Sequence, residues 1–154
     1  MKRISALALT LCLFMLAESA AQAQGNGIVT LRSHHSVAVT LDRLEQALKA
    51  KHMTIFARID HAKGAHGVGL ALRPTELLIF GNPKIGTRLM ECNQIAGLDL
   101  PLKALAWQDA KGQVWLSYNS PEYIAKRDRL GRCGRQAVNI MRKALHGFAR
   151  AATH

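Results

Sequence analysis

The sequence predicts an α+β fold with two layers: a mixed or antiparallel sheet, helices packed on one face, and a C-terminal basic amphipathic helix. Single helical segments alternate with short β-rich segments along the chain. The residues Asp109-Ala110-Lys111-Gly112 separate two β-rich segments, 102–108 and 113–119, which predicts a hairpin. No glycine-rich phosphate-binding motif follows a predicted strand, which argues against a doubly wound nucleotide-binding fold.

The first predicted strand covers residues 27–33. Ser36 can cap the helix that follows, whose apolar residues recur at helical spacing to about Lys51. They are Val37, Leu41, Leu44 and Leu48. Residues 53–60 predict a second strand, and residues 61–69 a loop or one short helix capped by Asp60. The second strand is expected to place Ile55, Ala57 and Ile59 on one face.

The middle of the chain predicts a strand, a tight turn and a helix in direct succession. The apolar run 77–80 indicates a strand that is buried on both faces. Gly81 allows the turn, Asn82 can cap the next helix, and Pro83 suits its first turn. The helix is expected to reach about Ile95, with Ile85, Leu89, Cys92 and Ala96 as its apolar stripe.

This turn is also a candidate binding site for a small anion. The N-terminus of a helix presents free N–H groups and a partial positive charge. The candidate residues are Gly81, Asn82, Lys84 and Arg88. The alternative is a structural cap, in which the Asn82 side chain itself satisfies those donors.

The N-terminus has the pattern of a secretory signal peptide. Lys2 and Arg3 precede an apolar segment, residues 4–17, and Ala21-Gln22-Ala23 fits a cleavage site. We therefore predict cleavage after Ala23 and a periplasmic or secreted location, with an uncleaved membrane anchor as the alternative. The predicted organisation is a signal peptide over 1–23, a domain over 24–128 and a basic helical tail over 129–154.

Two cysteines, Cys92 and Cys133, remain after that cleavage, and an exported protein can form one disulfide from them. Cys92 also falls on the apolar stripe of its helix, which equally suits a packed thiol. The spacing matches no metal-binding or redox motif.

Histidines at the ends of predicted elements form a second candidate site. They are His34, His35, His61 and His66, with Asp60 beside His61. Imidazoles and a carboxylate converging from two loops can hold zinc or copper. The alternative is a set of surface histidines, with His61 helping to cap a turn. No cofactor or metal ligand set is evident from spacing.

No catalytic constellation is visible in the sequence. Ser117, Ser120 and Cys92 are potential nucleophiles, but no motif places a base beside any of them. The acids Asp60, Glu76, Glu91 and Asp99 are dispersed. These features favour a protein that is not an enzyme.

The C-terminal segment is strongly basic, within a chain of net charge +11. Eight Lys or Arg residues and one acid lie between residues 126 and 150. An apolar stripe of Val138, Met141, Leu145, Phe148 and Ala152 lies opposite a polar face of Arg135, Asn139, Arg142, His146 and Arg150. The helix therefore either contacts an anionic surface or an acidic partner, or docks its stripe on the domain and solvates its charges.

Several motifs in the middle of the chain, in the right order, resemble the domain of unknown function 302 family. They are Asp60-His61, Gly64-Ala65, Gly69, Arg73-Pro74-Thr75, Phe80-Gly81-Asn82-Pro83, Leu100-Pro101-Leu102 and Val114-Trp115-Leu116-Ser117-Tyr118-Asn119. The resemblance covers about residues 27–128 and leaves the basic tail outside. It implies a compact α+β domain and no established activity.

Together these features predict an exported, non-catalytic binding or interaction module. The alternative is a metal-binding protein or metal-dependent enzyme that uses the loop histidines. The partner is not specified, and a homo-oligomer is compatible with the sequence. Nucleic acid is disfavoured, because export separates the protein from it and no basic-aromatic platform is evident.

Overall fold

The structure is a computed structural model that describes residues 22–23 and 26–154. Residues 1–21 of the predicted signal peptide lie outside the described part. The strands are β1 (Gln22–Ala23), β2 (Ile28–Ser33), β3 (Thr54–Asp60), β4 (Thr75–Gly81), β5 (Leu102–Gln108) and β6 (Val114–Asn119). The helices are α1 (Val37–Lys49), α2 (His61–Gly67), α3 (Pro83–Cys92), α4 (Pro121–Arg127) and α5 (Arg135–Thr153), with a 3-10 helix at Gln94–Leu98.

The six strands form one antiparallel sheet in the order β1-β2-β6-β5-β4-β3, in which the edge strand β1 lies within the predicted signal peptide. Helices α1 and α5 pack together and against the sheet, and their apolar stripes meet the strand residues that face them. The predicted stripe of α1 is buried throughout. The opposite face carries half-buried side chains, including Leu105, Trp107 and Trp115. The predicted α+β fold with helices on one face is therefore confirmed.

The β5–β6 hairpin is held by its turn. Asp109 accepts hydrogen bonds from the backbone N–H groups of Lys111 and Gln113, at 2.8 and 2.9 Å. The indole N–H of Trp115 donates to the same carboxylate at 2.9 Å, and this bond is the main reason that the pKa of Asp109 lies below its ordinary value. Gly112 has a φ of +79°, which a residue with a side chain rarely adopts.

Strand β3 differs from its prediction. A bulge between Ile55 and Ala57 shifts the register against β4. Ile55 therefore packs against the core, opposite Phe80, whereas Ala57 and Ile59 lie on the other face. The expectation that all three share a face was wrong, because it assumed an unbroken two-residue repeat.

Strand β4 and helix α3 also depart from expectation. Leu78 and Phe80 are fully buried, but Leu77 and Ile79 are only half-buried, because no second layer of helices from residues 26–154 covers the outer face of the sheet. Helix α3 ends at Cys92 rather than near Ile95. The backbone becomes extended at Asn93, whose side chain accepts the N–H of Ile95 and starts the 3-10 helix.

Helix α5 is docked on the domain. Val138, Met141, Leu145 and Ala152 are buried and Phe148 packs against the core. The guanidinium of Arg43 on α1 donates to the carbonyl of Ala151 at 3.0 Å, and the N–H of His34 donates to the carbonyl of Thr153 at 3.1 Å. The stripe predicted for the tail is therefore covered by the remainder of the domain.

Candidate binding pocket at the Gly-Asn-Pro turn

The turn after β4 begins α3 as a capped helix. Asn82 has an extended backbone, and its side-chain oxygen accepts the N–H of Lys84 at 3.0 Å. Pro83 occupies the first helical position, where no N–H is required. Asn82 thus satisfies one donor of the helix N-terminus, as the structural-cap alternative expects.

The four residues of the candidate anion site are placed in two groups. Gly81 and Asn82 line an apolar pocket, whereas Lys84 and Arg88 are exposed and lie outside its lining. The anion site stays a prediction. Asn82 already caps the helix, and the side chains of Lys84 and Arg88 are exposed.

The pocket lies between α3, the segment after the 3-10 helix and α5, and has a volume of about 340 Å³. Protein sites for small molecules typically measure about 300–1,000 Å³. Helix α3 contributes Pro83, Ile85, Gly86, Thr87 and Met90, and α5 contributes Ile140, Met141, Ala144, Leu145 and Phe148. Met53, Phe56, Gly81, Asn82, Gly97, Leu100, Pro101 and Leu102 complete the wall.

Glycines keep this space open. A Cβ atom on Gly81 would lie 3.4 Å from the Phe56 ring and 3.6 Å from Pro101. A Cβ on Gly97 would lie 3.4 Å from the sulfur of Met90, and one on Gly86 would lie 3.6 Å from Leu100. Larger side chains at these positions would therefore occupy the pocket or displace its walls.

The walls are apolar and adaptable. All three methionines of the described chain, Met53, Met90 and Met141, line the pocket. Methionine is unbranched and polarizable, so it adjusts to ligands of different shape. Asn82 and Thr87 supply the polar side chains of the lining, and the pocket wall in the described residues includes no titratable group. Such a surface suits an uncharged, mainly aliphatic molecule.

A disulfide joins the two helical walls. Cys92 at the end of α3 is bonded to Cys133, which precedes α5, and their Cα atoms are 5.7 Å apart. The cysteines are 41 residues apart in the chain. The bridge therefore holds the end of α3 close to the start of α5, the two helices that face each other across the pocket.

The candidate histidine site is dispersed. His34 packs edge-to-face against His154, with ring centroids 5.4 Å apart, while His61 and His66 lie on α2. The Asp60 carboxylate accepts the N–H of Lys63 at 2.8 Å and so serves as the cap of α2. Across residues 22–23 and 26–154, no three His, Cys, Asp or Glu side chains are grouped closely enough to hold a metal ion.

The potential nucleophiles are engaged in structural contacts. The Ser117 hydroxyl accepts the indole N–H of Trp107 at 2.9 Å, and Ser120 accepts the N–H of Tyr123 at 3.0 Å as the cap of α4. Cys92 is bonded in the disulfide. Burial raises the pKa of Tyr118 to about 12, but this residue lies outside the pocket.

Sequence reasoning located the turn but missed most of the pocket. Phe56, Gly97 and Ala144 come from three separate segments, and no local pattern shows that they meet. The one usable signal was Gly86, a glycine inside a predicted helix, which costs stability and so often marks a close approach or an open space.

The geometry defines a two-layer α+β domain with an apolar pocket at one end of its sheet. A family model, Domain of unknown function DUF302, matches residues 29–148. The chain belongs to this family. The match includes most of α5, which the resemblance seen in the sequence had left outside.

A solved structure shows the same fold. The crystal structure of an uncharacterized conserved DUF302 protein from Bacillus stearothermophilus matches with a TM-score of 0.73 and 19% identity. The match covers 82% of this chain and 98% of that chain. At this identity the likeness concerns the fold alone.

Curated relatives of higher identity are much longer proteins. The Fluoride-specific ion channel FluC 1 of Brucella suis biovar 1 (strain 1330) is 48% identical over 116 residues, covering 75% of this chain and 46% of that protein. The protein of the same name from Brucella abortus biovar 1 (strain 9-941) is also 48% identical, and 43% of its length is covered. The chain thus spans less than half the length of these relatives. No helix among the described residues is long and apolar enough to cross a membrane.

Proposed function

We propose that the protein is an exported, non-catalytic binding module that takes an uncharged, mainly aliphatic small molecule into the pocket between α3 and α5. The single observation that carries the proposal is the pocket itself: about 340 Å³ of space that is lined mainly by apolar side chains and, among the described residues, by no titratable group. Export is supported by the N-terminal signal pattern. The engaged serines and cysteine support a role without catalysis.

The size of the pocket bounds the ligand. A water molecule takes up about 30 Å³ in the liquid, so the pocket corresponds to roughly eleven waters. A ligand of roughly ten non-hydrogen atoms, such as a medium-length alkyl chain, matches that space. Its apolar part would contact methionine and leucine side chains, and one polar atom could meet Asn82 or Thr87.

The test is isothermal titration calorimetry with decanol, an uncharged alkyl chain of the size that the pocket volume indicates. Ala144→Phe places a ring inside the pocket, whereas Ala151→Phe makes the same change at an exposed position of the same helix. We expect saturable binding that Ala144→Phe weakens at least tenfold and Ala151→Phe leaves unchanged. Equal binding by both variants would contradict the proposal.

The same titration tests the anion site. Decanol and decanoate differ only in the head group, so their affinities report whether Lys84 and Arg88 attract a charge at the pocket. We expect decanol to bind at least as tightly as decanoate. Tighter binding of decanoate, lost in Lys84→Gln, would instead support the anion site at the Gly-Asn-Pro turn.

A second candidate follows from the curated relatives. Two proteins named as fluoride-specific ion channels contain a region 48% identical to this chain, so the chain is a candidate accessory of fluoride handling. It ranks second because the match covers less than half of those proteins. Deleting the gene and challenging cells with fluoride tests it: greater sensitivity, restored by the gene, would support the candidate, and unchanged growth would argue against it.

A further inference from the structure

The surface formed by the C-terminal segment, residues 126–154, is basic, and most of its cations have no ion-pair partner among the described residues. Eight Lys or Arg residues lie between residues 126 and 150, and all eight are exposed. Arg127 pairs with Asp99 and Asp128, and Arg142 pairs with Glu122 at 3.1 Å. The other six form no ion pair with any residue that the structure describes: Lys126, Arg129, Arg132, Arg135, Lys143 and Arg150.

These charges are organised along α5. At 100° per residue, Arg135, Arg142, Lys143 and Arg150 fall within about 100° of one another on the helix surface. They extend over ~22 Å of the helix axis, at 1.5 Å per residue. Buried Met141 and Leu145 lie on a different side of the helix and face the domain. We call this outward strip, together with Lys126, Arg129 and Arg132, the basic face.

The docked state of α5 decides how the basic face can act. Insertion of the apolar stripe into a membrane would require Met141 and Leu145 to leave the core, where they are 6% and 4% exposed. The basic residues point outward without any such change. The folded protein therefore attracts a partner through the charges of the basic face, and it contacts only the surface of that partner.

We propose that the basic face adheres to the anionic headgroups of a lipid bilayer while α5 remains docked. A row of cations on a rigid helix matches a flat surface of many negative charges, and each Lys or Arg near such a surface adds about 1 kcal/mol of attraction. Nucleic acid fits less well, because the two tryptophans are on the opposite face of the sheet and cannot stack bases beside these cations. The proposal does not depend on the pocket, which lies on another side of α5.

The test is co-sedimentation of the full protein with vesicles of equal parts phosphatidylglycerol and phosphatidylcholine, compared with phosphatidylcholine alone. We expect binding to the anionic vesicles only, falling steeply as salt is added, because surface charges are screened within about 8 Å at physiological ionic strength. Binding that persists at high salt, or that occurs equally on neutral vesicles, would overturn the proposal.

Two triple variants with the same change in net charge separate the basic face from the overall charge. Arg135→Gln, Lys143→Gln and Arg150→Gln remove three cations from α5. Lys51→Gln, Lys63→Gln and Lys111→Gln remove three exposed cations elsewhere. We expect the first triple to weaken binding on the order of 100-fold and the second to weaken it by less than tenfold. Equal losses would show that net charge alone is responsible and would contradict the basic face.

The melting temperature and a competition with single-stranded DNA test the docked state of α5 and the choice of partner. Binding of a ligand to the native state raises the melting temperature, so anionic vesicles should raise it or leave it unchanged if α5 stays docked. A lower melting temperature with vesicles would show that the helix leaves the domain and would overturn docked adhesion. Tighter binding to single-stranded DNA than to vesicles at matched salt would overturn the choice of partner.

Discussion

Helices α2 and α3 both follow a strand of the sheet, and both begin at an Asx residue whose side chain accepts a backbone N–H. Asp60 caps α2 at 2.8 Å and Asn82 caps α3 at 3.0 Å. Yet α2 buries none of its residues, whereas Leu89 of α3 is fully buried and α3 forms one wall of the pocket. A cap therefore determines where a helix begins, while the apolar stripe determines whether the helix becomes part of the core and of a site.

The largest loss of stability should follow from truncating the buried side chain of Leu89 in α3. Leu89→Ala removes a fully buried side chain, and such changes lower the free energy of unfolding by about 2–5 kcal/mol. His66→Ala on α2 alters an exposed side chain and should change it by less than about 0.5 kcal/mol. Urea unfolding of both variants measures the difference. Similar losses would show that α2 is as integral to the core as α3.

Removing the disulfide should have the next largest effect, since only α3 of the two helices is tied covalently to α5. The double change Cys92→Ala and Cys133→Ala should lower the free energy of unfolding by about 2–4 kcal/mol, because it frees a 41-residue loop in the unfolded chain. Denaturant midpoints of the double variant and of reduced wild type check this value. Two free thiols in unreduced, denatured wild type would remove the basis of the prediction.

The two caps can be compared because each accepts a backbone N–H through a side-chain oxygen. Asn82→Ala should lower the free energy of unfolding by about 1 kcal/mol, because α3 must be formed for the domain to be folded. Asp60→Ala should change it by only a few tenths, since α2 can unravel locally without opening the core. The conservative changes Asn82→Asp and Asp60→Asn keep an accepting oxygen and serve as controls. Thermal melts of the four variants measure these changes. Equal losses of stability in Asn82→Ala and Asp60→Ala would contradict the prediction.

The smallest effects should come from the glycines inside the two helices. A Cβ on Gly64 of α2 meets no atom within 4 Å, and one on Gly86 of α3 meets Leu100 at an ordinary 3.6 Å. Gly86→Ala should raise the free energy of unfolding by about 0.5–1 kcal/mol through helix propensity. Gly64→Ala should slow amide hydrogen exchange within α2 and leave the free energy of global unfolding unchanged. Loss of stability in Gly86→Ala would show that the pocket wall does not accept even a methyl group.

Local signals were enough to predict much of this fold. The caps Ser36, Asp60 and Asn82 all accept the backbone bonds that their sequence contexts suggested, because capping depends on residues within one turn. The hairpin at Asp109 was equally clear, and the apolar stripes of α1 and α5 predicted which side of each helix is buried.

The features that sequence reasoning missed depend on distant contacts. The bulge in β3 adds one residue to a strand and reverses the faces beyond it, and nothing in Ile55-Phe56-Ala57 reveals this in advance. The pocket joins Phe56, Gly97 and Ala144 from separate segments, so only the tertiary packing brings its walls together. The half-buried Leu77 and Ile79 likewise reflect a missing second layer of helices among the described residues, which the apolar run alone does not reveal.

A crystal of the protein soaked with decanol would show directly whether the pocket between α3 and α5 is a binding site. We expect density for the alkyl chain between Gly86 and Ala144, in contact with Met90, and none in a crystal of Ala144→Phe treated in the same way. An alkyl chain bound elsewhere, or an empty pocket in a protein that binds decanol in solution, would contradict it.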